Sequence, residues 1–419
     1  MLPIKRLRYV AVVAAFGLAV AGCGSGSRST GTAAPASGTS TGKAATGAPL
    51  NFYWINSQGS TNGASYPQQT EAAHAAADYI NKTLGGVDGR PLKLTDCFET
   101  SNADTQNCAN EAVAAKPLAI LLGTLEADNL VFETAKTANV PLLANSAFTE
   151  QTLTGAPHAY VFNASAAGSL LAIAQFLQSK QVKDAAMVYV NVPGAVASVQ
   201  QAAPVYKKVG ISLQTIPVPY PSVDLTATFS ALLAKKPSAI IMLADPQTCT
   251  AAMKAKSLLG YNGMFLMVGS CNTPGVFSAG GAAAKGVYVT SADDVLNSSD
   301  PDVKVYKSAM AKYAPTDTNL LNTESTNGFQ TIMDLYEILK AIPAGTPITS
   351  GNIVKQVQTG SYHQFLLGPD FTCNGKAFPG LSAACSIATS IDQYNGTREN
   401  FVVAENPSSL VQPASSAGS

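Results

Sequence analysis

From Pro49 onward the chain alternates short apolar runs with longer helical stretches, and nothing else in it constrains the fold as strongly. Strand candidates are 50–55, 91–97, 119–123, 141–144, 160–163, 186–190, 211–216, 239–243, 264–269 and 286–290. They are rich in Val, Ile, Leu, Phe and Tyr, and several are unbroken apolar runs, as expected of strands buried on both faces. The first helical stretch, 67–84, begins with Pro67 at a favoured first position and keeps Ala72, Ala73, Ala76, Ala77 and Ile80 on one face. Gly85 and Gly86 supply its stop, and Val87-Asp88-Gly89-Arg90 turns the chain into the next strand. Repeated βα units imply an α/β fold with parallel sheets covered by helices. Ten strands are too many for one compact sheet, so two sheets of about five, in two lobes, fit the 419 residues better.

The ends of the chain read differently. Lys5, Arg6 and Arg8 precede an apolar stretch from Val10 to Val20, too short to span a bilayer as a helix but of signal-peptide length. Val20-Ala21-Gly22-Cys23 resembles a bacterial lipobox, which implies removal of residues 1–22, acylation of Cys23 and anchoring to the outer face of the cell membrane. Residues 24–48 are almost entirely Gly, Ser, Thr, Ala and Pro, so 23–48 reads as a lipidated flexible tether with an r.m.s. span of roughly 25–30 Å. The tail, 406–419, has the same composition and is expected to be disordered.

Basic and acidic residues balance at 26 each, and loss of the signal peptide leaves a slight acidic excess. Without a basic stripe, nucleic-acid binding has no electrostatic support. Of the seven cysteines, six remain once Cys23 is assigned to lipid, an even number that reads as disulfides in an exported protein. Fifteen pairings are possible. Nearest neighbours favour Cys97–Cys108, Cys249–Cys271 and Cys373–Cys385. Zinc is disfavoured because no Cys-x-x-Cys pair exists and His74, His158 and His363 lie far from the cysteines.

Ala77-Asp78-Tyr79-Ile80-Asn81, followed by Gly85 to Leu94, resembles the type I periplasmic binding proteins, in particular the branched-chain amino-acid receptor group of ABC transporters. Ala119-Ile120-Leu121-Leu122-Gly123 and Val140-Pro141-Leu142-Leu143-Ala144-Asn145-Ser146 extend the resemblance, which covers about 49–400. It implies two Rossmann-like lobes joined by three crossovers, near Phe162 to Ala164, Val289 to Ser291 and Leu367 to Phe371. The first lobe would hold 49–163 and 290–360, and the second 164–289 and 361–405.

Ligands of such sheets bind at the carboxyl ends of the strands, which selects loops 56–65, 123–128, 144–149, 191–194, 244–248 and 270–275. The candidate ligand-binding residues there are Ser57, Gln58, Thr124, Glu126, Asn145, Ser146, Ala147, Phe148, Pro193, Asp245 and Asn272. The resemblance implies that Ser146, Ala147 and Phe148 form a loop gripping a ligand carboxylate through backbone N–H groups and a hydroxyl. Phe148 stands where the amino-acid receptors commonly carry Thr, and Pro193 replaces a Tyr. Ser270-Cys271-Asn272 occupies a loop that carries an acid in those receptors. Asp245 also suits the N-cap of a following helix, and Trp54 suits a core position.

Enzymatic chemistry has little support. Ser40-Thr41-Gly42-Lys43 matches Ser-x-x-Lys but lies in the tether, and neither Gly-x-Ser-x-Gly nor a phosphate-binding Gly-rich loop occurs at a strand–helix junction. Asn-x-Ser/Thr strings, Asn395-Gly396-Thr397 among them, carry no weight beside a bacterial lipobox. The expectation is a monomeric, cofactor-free and metal-free receptor that binds a small polar organic ligand by lobe closure and delivers it to an ABC transporter permease. A ligand-sensing module and a degenerate surface protein are the alternatives.

Overall fold

A computed structural model describes residues 42–407 and Leu410, apart from 60–64, 126, 164–165, 318–319, 321–322 and 398. The signal segment, Cys23 and most of the tether and tail therefore lie outside the described residues. The last residues assigned to the tether belong to the body. The N–H groups of Thr46 and Gly47 both donate to the Gly89 carbonyl, and that of Ala45 to Asn81.

The first part of the chain runs β1 (Leu50–Ser57), α1 (Pro67–Tyr79), β2 (Leu92–Glu99), α2 (Asn102–Ala114), β3 (Ile120–Leu122), α3 (Asp128–Thr137), β4 (Leu142–Ala144), α4 (Glu150–Leu153) and β5 (Ala159–Val161). These strands form a five-stranded parallel sheet in the order β2-β1-β3-β4-β5. Alternate residues serve its two faces. Leu50, Phe52, Trp54, Leu121 and Leu143 pack with the alanine face of α1, whereas Tyr53, Ile55, Ile120 and Leu122 meet Ala109, Ala112, Val131 and Phe132. Both faces are thus covered, which explains the unbroken apolar runs. A π-helical turn, Ile80–Leu84, prolongs α1, and Gly85 closes it at φ 86°. In the turn that follows, Asp88 and Gly89 both take positive φ while Val87 and Arg90 exchange backbone hydrogen bonds.

The second part runs α5 (Ala166–Ser179), β6 (Asp184–Val190), α6 (Pro193–Lys208), β7 (Ser212–Val218), α7 (Thr226–Leu233), β8 (Ala239–Leu243), α8 (Pro246–Leu258), β9 (Met264–Met267), α9 (Pro274–Gly280) and β10 (Tyr288–Ser291). Then follow α10 (Pro301–Tyr313), α11 (Thr323–Lys340), α12 (Ser350–Thr359) and four short strands: β11 (Tyr362–His363), β12 (Asp370–Phe371), β13 (Thr389–Tyr394) and β14 (Glu399–Glu405). The second sheet has seven strands in the order β14-β13-β10-β9-β8-β6-β7. Its parallel part, β6 to β10, matches the expected five strands, and the antiparallel β13–β14 hairpin extends it beyond them.

Helices α10 to α12 return to the first sheet, where Tyr306, Phe329, Ile332 and Ile353 join the cluster of Trp54 and α1. The segment 361–371, expected with the second lobe, packs there too. Its Phe371 ring lies 5.4 Å from that of Phe162, and Tyr362, Phe365 and Leu366 are buried in the same cluster. Cys385 is still bonded to β5, its N–H donating to the Val161 carbonyl, so the third passage to the second sheet comes only between Cys385 and Thr389. Disulfides Cys97–Cys108, Cys249–Cys271 and Cys373–Cys385 are present, with Cα separations of 5.6, 5.7 and 4.1 Å.

Candidate ligand-binding cleft

A cleft of about 990 Å³ lies where the carboxyl ends of β4, β8, β9 and β10 converge. One wall is the segment from Asn145 to Gln151, which follows β4. A buried carboxylate shapes it. Asp128, at the start of α3, accepts the Phe148 N–H at 2.5 Å, the Thr149 N–H at 3.4 Å, the Thr152 hydroxyl at 2.9 Å and the Thr149 hydroxyl. Burial pushes the Asp128 carboxyl above the usual carboxylate range, and these donors oppose that shift. The Phe148 N–H is therefore already engaged, while the residue as a whole is 56% exposed on the cleft lining.

The opposite wall comes from helices: Ala166, Ala167 and Ser169 of α5, and Ala197, Ser198, Gln200 and Gln201 of α6. Leu243, Val268, Gly269 and Ser270 close it at the ends of β8 and β9. The Ser270 hydroxyl donates to the Ala244 carbonyl at 2.7 Å, and the Cys249–Cys271 bridge ties this loop to α8. Among the described lining residues only Glu150 carries a charge, and it is exposed.

Residues next to the passages between the sheets complete the lining: Asn163, Thr290 to Ala292, Asn327 of α11 and Thr389. Asn145, Thr290 and Asn327 are 1%, 1% and 6% exposed, yet Asn145 Oδ1, Thr290 Oγ1 and Asn327 Oδ1 have no hydrogen-bond partner among the described residues. An unpaired buried polar atom costs about 1–3 kcal/mol, and these three lie covered beneath the cleft surface.

Residues 52–384 match the sequence model of a family described as periplasmic binding protein. The chain belongs to that family. A possible leucine/isoleucine/valine-binding protein from Rhodopirellula baltica is similar in structure, with a TM-score of 0.66 and 18% identity over 85% of this chain and 96% of that one. A leucine-, isoleucine-, valine-, threonine- and alanine-binding protein from Brucella ovis, in a closed conformation, gives 0.71 and 14% over 89% and 99%. A fatty acid ABC transporter substrate-binding protein from Thermomonospora curvata gives 0.67 and 16% over 88% and 94%. A search of curated proteins finds no match. The expected fold, the type I periplasmic binding protein fold, is thus the observed one.

Within this binding protein, the candidate site residues fall into two groups. Asn145, Ser146, Ala147 and Phe148 line the cleft together. Ser57, Gln58 and Thr124 lie at the carboxyl edge of the first sheet but outside the cleft lining. Ser57 donates to Glu99, and Thr124 donates to Glu324 of α11 at 2.7 Å while its N–H reaches Gln69 at 2.8 Å. Asp245 caps α8, accepting from the Gln247 and Thr248 N–H groups at 2.9 and 3.1 Å, and neither it nor Asn272 lines the cleft. Pro193 opens α6, and Glu126 lies outside the described residues. Trp54 is fully buried and donates to Thr70 of α1 at 3.1 Å, a core role.

Sequence reasoning missed the contributions of α5 and α6, Thr290 and Asn327. The strand-end rule looks at loops, whereas here a helix face and the passages between sheets supply the lining. Among the described residues, no cluster of three or more His, Cys, Asp or Glu side chains is placed to hold a metal ion. No helix among them is long and apolar enough to cross a membrane.

Proposed function

We propose that this periplasmic binding protein is an exported, lipid-anchored and monomeric solute receptor for an ABC importer, and that it takes a small polar organic ligand into the cleft. The observation that carries the reading is the cleft itself, whose lining draws on strand ends of both sheets and on residues beside the passages between them. We take the first lobe as the five-stranded sheet with α10 to α12, and the second as the seven-stranded sheet with α5 to α9. A ligand touching both walls binds the closed state better than the open one, and only that difference in affinity can drive closure. The ABC transporter and amino-acid-binding proteins named above support the transport role. The segment from Lys5 to Cys23 supports the anchor.

A thermal-shift screen of amino acids, amides, organic acids, polyols and short peptides tests the binding role. A ligand at 100 times its Kd adds ~2.7 kcal/mol to stability. If every class leaves the unfolding midpoint in place, the receptor reading is overturned. Mass analysis of the N-terminal peptide tests the anchor, which requires a diacylglycerol on Cys23 in the native chain and its loss in Cys23→Ser.

A further inference from the structure

The side chains that water reaches in the cleft differ in kind from those it does not. Leu153, Leu243, Val268 and Leu381 line the cleft but are 8% exposed or less. Among the large apolar residues described on the lining, only Phe148 is open to solvent, at 56%. More than half of a phenylalanine's surface exceeds what its backbone can contribute, so the ring itself is open. The backbone beneath it is fixed. Asp128 accepts the N–H groups of Phe148 and Thr149 at 2.5 and 3.4 Å and the Thr152 hydroxyl at 2.9 Å. One carboxylate from α3 thus ties down both the loop and the start of the helix after it, and the aromatic platform is set before any ligand arrives.

The polar groups within reach are neutral. Gln200 and Gln201 of α6 and Ser270 are exposed on the lining. Among the described lining residues none is cationic, and the one anion, Glu150, is itself exposed. A full charge taken from water into this cleft would therefore meet no covered counter-charge. Ala166, Ala197 and Gly269, on other elements of the lining, carry small side chains or none, which leaves width for a ring. An open, fixed ring favours another ring over an aliphatic group, because offset stacking adds to the apolar area it covers. We propose that the cleft takes a ligand without net charge whose aromatic ring stacks on Phe148, and that Phe148 sets this preference. This rests on the receptor reading above and specifies its ligand class.

The test is equilibrium binding of three probes on one skeleton: 3-phenylpropanamide, 3-cyclohexylpropanamide and 3-phenylpropanoate. The cyclohexyl ring is at least as apolar as the phenyl ring, so burial alone gives the aromatic amide no advantage and stacking does. The aromatic amide should bind about threefold to tenfold more tightly than the cyclohexyl amide, and more tightly than the carboxylate. Phe148→Leu should bring the two amides to near equality, and Phe148→Tyr should keep the preference. Both variants should hold the unfolding midpoint of the unliganded protein, because the ring is open and the bond to Asp128 comes from the backbone. Equal or tighter binding of the cyclohexyl amide by the native protein overturns the stacking, and tighter binding of the carboxylate overturns the charge class. Either result leaves the receptor role standing. A preference that survives Phe148→Leu, or binding of none of the three, also overturns the proposal. Failure of the receptor role itself would appear separately, as a broad screen without a single binder.

Discussion

The contact between α1 and α11 yields a test in which one chemical change has opposite signs at two sites. A β-carbon added at Gly328 of α11 would stand 2.0 Å from the Gln69 carbonyl oxygen and 2.9 Å from its carbon, where distances under 3.0 Å are essentially never found. The obstacle is backbone, so one helix must shift. Overpacking of this kind costs ~1–3 kcal/mol. Replacing Gly by Ala within a helix returns ~1 kcal/mol. A 2.0 Å contact with fixed backbone belongs at the upper end of the overpacking range, so the clash outweighs the propensity and Gly328→Ala should destabilise the protein by about 2 kcal/mol. It should also disturb its neighbour Asn327 on the cleft. Gly351 of α12 has nothing within 4 Å of its added β-carbon. There only the propensity term acts, and Gly351→Ala should be neutral or stabilising by up to ~1 kcal/mol. Urea unfolding followed by tryptophan fluorescence is the assay, because Trp54 is the only tryptophan and bonds to Thr70 on the helix that Gly328 meets. A neutral or stabilised Gly328→Ala, or a Gly351→Ala as destabilised as it, would refute the packing argument.

Three further outcomes are expected. His363, hydrogen-bonded to Asp302 at 2.6 Å, has its pKa raised to about 9 by that bond, and burial raises Asp294 to about 7 and Asp392 to about 8. In each case the folded pKa lies above the unfolded one, so the associated stability is complete at low pH and lost as pH rises through the folded value. The melting temperature should fall from about pH 5 to pH 9, and Asp392→Asn should flatten the part below pH 8; a profile rising over that range contradicts the assignment. Asp245→Ala should cost ~1 kcal/mol as a lost helix cap yet leave ligand affinity intact, whereas Ser146→Ala should weaken binding. Binding titrations of the two variants separate cap from cleft. Cys97→Ser with Cys108→Ser should lose ~3 kcal/mol in denaturant melts, and the folded, unreduced mature protein should show no more than one free thiol.

How far the sequence alone reached follows from burial. The inner strands of the two parallel arrays were legible because strands covered on both faces must be largely apolar. The edge strands β2 and β7, with Lys93 and Ser212 exposed, were legible from their place between helical stretches, and the turn at 85–90 because Gly85 and Gly89 take positive φ. Strands β13 and β14 escaped because their mixed pattern, Thr-Ser-Ile-Asp-Gln-Tyr and Glu-Asn-Phe-Val-Val-Ala-Glu, carries no such run. Their hairpin signal, Asn395-Gly396 between the two strands, was present but read only as part of a glycosylation string. Asn145 to Phe148 could be placed at a strand end from sequence. Whether Thr124 or Asn327 reaches the cleft could not, since that depends on how α11 meets the first sheet, where Thr124 bonds to a glutamate 200 positions away. The unpaired, covered acceptor on Asn145 is likewise a tertiary product, set by Gln330 and the Phe365 carbonyl. Local pattern encodes which residues must leave water. Which polar atoms are left unpaired once they have done so is decided only when distant segments meet.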